Sequence, residues 1–168
     1  VISYTSQGLS YNLSPQINFT FFFIMTTVLN RESIQVKRDL QRRIEDYVIK
    51  YCNALEENFK QHSINSFKRN IQEQRFPENT KYYEERLTEI ENGTANLYKF
   101  DYQVGKKYIK VFNLQYSEAC DYYNRPAGYR AGSVTAFIDK QTGEVYKPAS
   151  WKAPAKHVRY DLRLIKDR

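Results

Sequence analysis

The spacing of apolar residues changes at Gly93, and no other feature of the chain constrains its fold as much. From Ile34 to Phe59 the apolar positions are Ile34, Val36, Leu40, Ile44, Tyr47, Val48, Tyr51, Leu55 and Phe59. Steps of three and four put them on one stripe of a helix. After Gly93 the period falls to two: Tyr98, Phe100, Tyr102 and Val104 alternate with Lys99, Asp101 and Gln103. Helices followed by strands predict an α+β domain. The expected architecture is a long N-terminal amphipathic helix and two shorter helices, packed on a small antiparallel sheet of three to five strands.

The helical region spans residues 25–93. Asn30 suits the cap of the first helix, with Glu32 in its first turn. A second helix is expected over Ser66–Gln74 and a third from Glu78 to Glu91. Pro77 before the third and Gly93 after it match the asymmetry of helix ends. On that third helix the adjacent Glu84 and Glu85 cannot both face one site, so they make a poor acid–base pair. In the β-rich region, residues 94–168, two hairpins are legible. The first joins 97–104 to 108–114 through Gly105, Lys106 and Lys107. The second joins Ser133–Asp139 to Glu144–Lys147 through Lys140–Gly143, with Gly143 suited to a left-handed turn position. Residues 115–131 read as a long loop rich in Tyr, 148–156 as a rigid extended connector, and the alternating tail from His157 as a short strand.

Residues 1–24 carry no charge, and the only Met is Met25. Neither the basic start nor the small-residue cleavage site of a signal peptide is present. The apolar block from Ile17 to Met25 is shorter than the roughly 20 residues of a membrane span. The expectation is a non-native or disordered leader, with the native chain beginning at Met25; a short apolar anchor is the alternative. No membrane association is otherwise expected.

The formal net charge is +7, and its placement is uneven. Residues 31–93 balance twelve Lys/Arg against twelve Asp/Glu, whereas residues 94–168 hold fourteen against seven. The whole surplus therefore lies in the β-rich half. A one-sided basic region points to a polyanion, DNA or RNA above all, although surplus charge also serves solubility. The candidate binding residues are Lys106 and Lys107 in the first turn, Arg125 and Arg130 in the tyrosine-rich loop, and Lys147, Lys152, Lys156, Arg159 and Arg163 along the tail. Tyr116, Tyr122, Tyr123 and Tyr129 offer stacking faces in that loop. Trp151, the only Trp, suits either base stacking or a place in the core.

Catalytic patterns are scarce. A metal-dependent nuclease needs an acid and a Lys two residues apart on one strand face. Asp139 is followed by Glu144 and Lys147, a spacing of three that puts the pair on opposite faces unless a bulge intervenes. Cys52, Cys120, His62 and His157 show neither metal-ligand spacing nor a nucleophile–base pattern, and Cys52 reads as an inert residue of the first helix. There is no phosphate-binding glycine loop, no dinucleotide fingerprint and no internal repeat. No catalytic residue, metal ligand or cofactor is assigned.

The segment Ser133–Lys156 carries an Asp139 and Thr142-Gly143 hairpin, then Tyr146-Lys147, Ala149-Ser150-Trp151-Lys152 and Ala153-Pro154-Ala155-Lys156. It resembles the C-terminal signature of small uncharacterised proteins of tailed bacteriophages, with Tyr108–Phe112 resembling the strand before it. The resemblance implies a viral source and expression in the cytoplasm of an infected host cell rather than secretion. It implies no reaction. The leading expectation is non-enzymatic binding of nucleic acid or another polyanion. The alternatives are a viral structural or interaction module that docks on a viral or host protein, and a metal-dependent nuclease. Oligomeric state stays open.

Overall fold

The computed structural model describes residues 15–74 and 76–164, with side chains from residue 24 onward. The expected leader lies partly outside these: residues 1–14 are not among the described residues. The chain divides into two units, Val1–Leu40 and Gln41–Arg168. Helix α1 covers Pro15–Gln72, a 3₁₀ turn covers Pro77–Asn79, and helix α2 covers Thr80–Glu91. Strands β1 (Lys99–Val104), β2 (Tyr108–Ser117), β3 (Gly128–Asp139), β4 (Glu144–Pro148) and β5 (Pro154–Asp161) follow.

The first two expected helices are one. No Gly or Pro occurs between Pro15 and Pro77, so no residue in that stretch forces a break. Asn30 is not a cap but an interior residue, whose carbonyl accepts the Ser33 hydroxyl at 2.8 Å. The polar stretch around residue 63 also stays helical. Ser63 Oγ bonds the Phe59 carbonyl at 2.9 Å, and Gln61 Nε2 bonds Asn65 Oδ1 at 3.2 Å. The expected helix at Ser66–Gln74 is therefore the end of α1, and only α2 remains as a second α-helix. No helix among the described residues is long and apolar enough to cross a membrane.

Within Gln41–Gln72, Ile44, Val48 and Cys52 are buried and Tyr51, Leu55 and Phe59 half-buried. Ile34 and Val36, expected in the same stripe, are exposed. Phe59 stacks on Tyr98 with centroids 4.5 Å apart, and Phe67 on Tyr83 of α2 at 5.8 Å. Ile90 of α2 is buried. The helix stops at Gly93, at φ +72°.

All five strands pair antiparallel in chain order, β1-β2-β3-β4-β5. Register aligns Ile109 with Ile138, Ile138 with Val145, and Val145 with Tyr160. Paired residues share a sheet face, so this row crosses four strands on one side. Ile109, Ile138 and Val145 are fully or almost fully buried, each contributing roughly 1.5–3 kcal/mol over exposure. The Tyr160 hydroxyl donates to the Tyr51 hydroxyl at 2.8 Å. That bond places the Gln41–Gln72 part of α1 on this face. The shared hydrogen bond and burial together hold the Tyr51 phenol well above its usual pKa, burial being the larger cause. Burial likewise raises the Cys52 thiol to about 11, aided by the charges of Asp101 and Glu56.

Candidate nucleic-acid interface

Side chains alternate between the two faces of a strand. With Ile109 and Val111 turned toward the Gln41–Gln72 part of α1, Tyr108, Lys110 and Phe112 belong to the opposite face. Register puts Phe137 beside Lys110 and Tyr146 beside Phe137. The rings form an aromatic surface. Tyr108 meets Phe137 edge-on at 6.2 Å and Tyr146 at 5.7 Å. Phe137 is buried, whereas Tyr108, Phe112 and Tyr146 are only half-buried.

Trp151 joins this surface from the β4–β5 connection. The expected extended connector is in fact a closed turn. Ala149 and Ser150 N–H groups both donate to the Ala153 carbonyl, at 2.9 and 3.1 Å. Ser150 Oγ accepts from the Lys152 and Ala153 amides at 3.2 and 3.1 Å. Such side-chain-to-backbone bonds favour turns over extended chain. The turn brings Trp151 to 6.0 Å from the Phe112 ring, with the Lys110 ammonium 4.5 Å from its centroid. The indole is nevertheless 43% exposed. It is neither a buried core anchor nor a freely waving side chain.

The acidic end of the same face is committed to the β3–β4 turn. Asp139 Oδ1 accepts the Gln141 and Thr142 amides at 2.8 and 3.2 Å, and its carbonyl accepts Gly143 N–H at 2.9 Å. Gly143 sits at φ +74°, where any other residue is strained. Glu144 Oε2 accepts the Tyr146 hydroxyl at 2.8 Å and the Thr142 hydroxyl at 3.1 Å. The bond to Glu144 is the main reason the Tyr146 phenol rises to about 12. Lys107 Nζ stands 3.9 Å from Asp139 Oδ2 and 5.0 Å from the Tyr108 ring. Its pKa is raised, first by a side-chain bond to Tyr108 and further by Asp139 and Glu144. Among the described residues, no group of three or more His, Cys, Asp or Glu is placed to hold a metal ion.

The long loop expected over residues 115–131 is shorter, because β2 runs to Ser117 and β3 starts at Gly128. Tyr116 and Tyr129 are therefore register partners in the sheet, 5.4 Å apart, and not loop residues. The Tyr129 hydroxyl donates to the Leu97 carbonyl at 3.1 Å. The remaining loop keeps Tyr122 and Tyr123 at 87% and 69% exposure, edge to face at 4.8 Å, with the Arg125 guanidinium 5.6 Å from the Tyr123 ring. Arg130 Nη2 donates to the Pro126 carbonyl.

The other candidates distribute as follows along the sheet. Lys106 is exposed in the β1–β2 turn, and Lys147, Lys152, Lys156 and Arg159 are exposed on β4, its turn and β5. Arg163 is held by Asp161 at 2.6 Å, an interaction that lowers the Asp161 carboxyl below its usual range. Sequence reasoning missed Lys110, Phe112, Tyr108 and Tyr146. Their alternation with Ile109, Val111 and Val145 was the available signal. Reading it as a binding face required knowing that the Gln41–Gln72 part of α1 lies on the other side.

No curated protein and no solved structure matches the chain. A family model matches residues 30–168, which include β1–β5, Trp151 and Lys110. The chain therefore belongs to a family of unknown function, DUF7717.

Proposed function

We propose that the sheet face opposite the Gln41–Gln72 part of α1 binds single-stranded nucleic acid without catalysing a reaction. The observation that carries this reading is Trp151: a half-exposed indole beside Phe112, with the Lys110 ammonium 4.5 Å from its ring. An aromatic face next to a cation offers a base its stacking partner and a phosphate its counter-charge. Lys152, exposed beside Trp151, extends the positive surface away from the acidic end at Asp139 and Glu144. In a duplex the bases are already stacked on one another, so the aromatic face favours unpaired strands. Arg125 with Tyr122 and Tyr123 supplies a second stacking element on the exposed loop.

The test is fluorescence anisotropy with labelled single-stranded DNA, RNA and duplex DNA across a salt series. Single strands are expected to bind more tightly than duplex at every salt concentration. Lys110→Glu with Lys152→Glu should weaken binding and flatten the dependence of log K on log salt, by about one for each phosphate no longer neutralised. An unchanged slope, or equal affinity for duplex and single strand, overturns the reading.

A further inference from the structure

We infer that β5 is an open sheet edge that accepts an acidic, extended segment of another protein as a sixth strand. The sheet order leaves two edges, β1 and β5. An uncovered edge presents a row of unpaired N–H and C=O groups, and proteins usually blunt it. The two edges here are treated differently.

Edge β1 is closed by carboxylates. Glu56 of α1 accepts the Phe100 amide at 2.8 Å, and Asp101 Oδ1 accepts the Tyr102 amide at 2.7 Å. Phe100 and Tyr102 are two residues apart, so their amides point the same way. The Phe100 bond to α1 shows that this direction is away from β2. Two successive outward donors on β1 are therefore already taken.

Edge β5 has no such carboxylate closure among the described residues, although Pro154 opens the strand and its register against β4 shifts at Val145/Tyr146 and again at Tyr146/Pro148. Lys156, His157, Val158, Arg159 and Tyr160 are all exposed in an unbroken run. No side-chain bond to a backbone amide is found along Lys156–Tyr160; the nearest flank the strand, the Ala153 amide donating to Ser150 Oγ before it and the Arg163 amide to Asp161 Oδ1 beyond it. The edge is also basic. Lys156 and Arg159 lie on it, Lys147 and Lys152 flank it, and its one acid, Asp161, is neutralised by Arg163.

This combination selects the occupant. A second copy pairing antiparallel through Val158 would set Arg159 opposite His157 and Lys156 opposite Tyr160, leaving the Lys156 and Arg159 cations of both chains with no acid across the ladder. An acidic strand reverses that sign while its backbone completes the ladder, the mode of peptide capture by strand addition. Nucleic acid satisfies the charge but has no amide ladder to offer. The β5 edge is thus separate from the aromatic face around Trp151.

The test uses the full chain and a fluorescein-labelled octapeptide that alternates Glu with Thr or Val, read by fluorescence polarisation. Saturable binding is expected. It should weaken at least tenfold when every peptide nitrogen is methylated, and at least tenfold in the Lys156→Glu, Arg159→Glu variant. Trp151→Ala should leave it unchanged, which keeps this outcome independent of the nucleic-acid reading. Absence of binding at low salt, or equal affinity for the methylated peptide, overturns the inference; the second result reduces the interaction to charge alone.

Discussion

Replacing Trp151 separates its contribution to the fold from its contribution to binding. The indole is 43% exposed, so a little over half of it is withdrawn from water. A Trp side chain buries at most about 250 Å². About 140 Å² at ~25 cal/mol per Å² is worth ~3.5 kcal/mol as an upper bound, and a compact denatured chain trims that toward ~2.5 kcal/mol. Trp151→Ala should therefore cost roughly 2–3 kcal/mol in urea unfolding followed by circular dichroism, below the upper end of the range for a fully buried Trp, about 3–5 kcal/mol. Trp151→Leu keeps apolar cover over Phe112 and should cost less. Both variants remove the aromatic face, and stacking is worth about 1–3 kcal/mol per base. Single-strand affinity should fall about 5- to 150-fold in both, by the usual conversion of free energy to Kd. A Leu variant that folds and binds like the wild type refutes the stacking argument, because it shows that only apolar cover is needed.

Three further outcomes follow from local geometry. A Cβ on Gly132 would collide with Asn113 Oδ1, the atom that accepts the Ser133 amide at the β2–β3 bulge. Gly132→Ala should therefore destabilise by about 1–2 kcal/mol in urea unfolding, and an unchanged or raised midpoint contradicts this. Arg163 depresses the Asp161 carboxyl, chiefly by side-chain hydrogen bonding. That stabilisation is fully present above the unfolded-state pKa and is lost as pH falls through the lower folded value. Arg163→Ala should thus lose less stability than wild type between pH 7 and pH 3, and equal losses would remove the pairing from the account. Cys52 is buried with its thiol at about 11. In a Cys120→Ser variant at pH 8 it should react with a disulfide reagent only after unfolding; prompt reaction of the native protein would show that this part of the core is open.

The fold was readable where one residue type decides the geometry. Gly143 and Gly93 marked a hairpin and a helix end, and two-residue alternation marked the strands. The continuity of α1 was missed because Asn30 and the polar residues near Ser63 look like boundaries. They bond within the helix instead, and the absence of Gly and Pro from 16 to 76 was the stronger signal. Strand ends were misplaced at 115–131, because Tyr116 and Tyr129 are defined by pairing with each other across a loop. The site followed the same division. Basic residues were legible from composition, but Lys110 was not singled out among its core neighbours Ile109 and Val111. Its meeting with Trp151, 41 positions along the chain, depends on the order of the strands and on a turn held by Ser150. The difference between the two sheet edges depends on Glu56, which reaches β1 from a helix more than forty residues earlier.

The most direct test of the central claim uses the one native Trp as its own reporter. Trp151 emission should be quenched saturably by a single-stranded oligonucleotide, with the same midpoint as anisotropy of the labelled strand. Duplex of equal length and ionic strength should quench it far less. Binding that saturates by anisotropy while Trp151 emission stays unchanged would place the nucleic acid elsewhere on the protein and contradict the account.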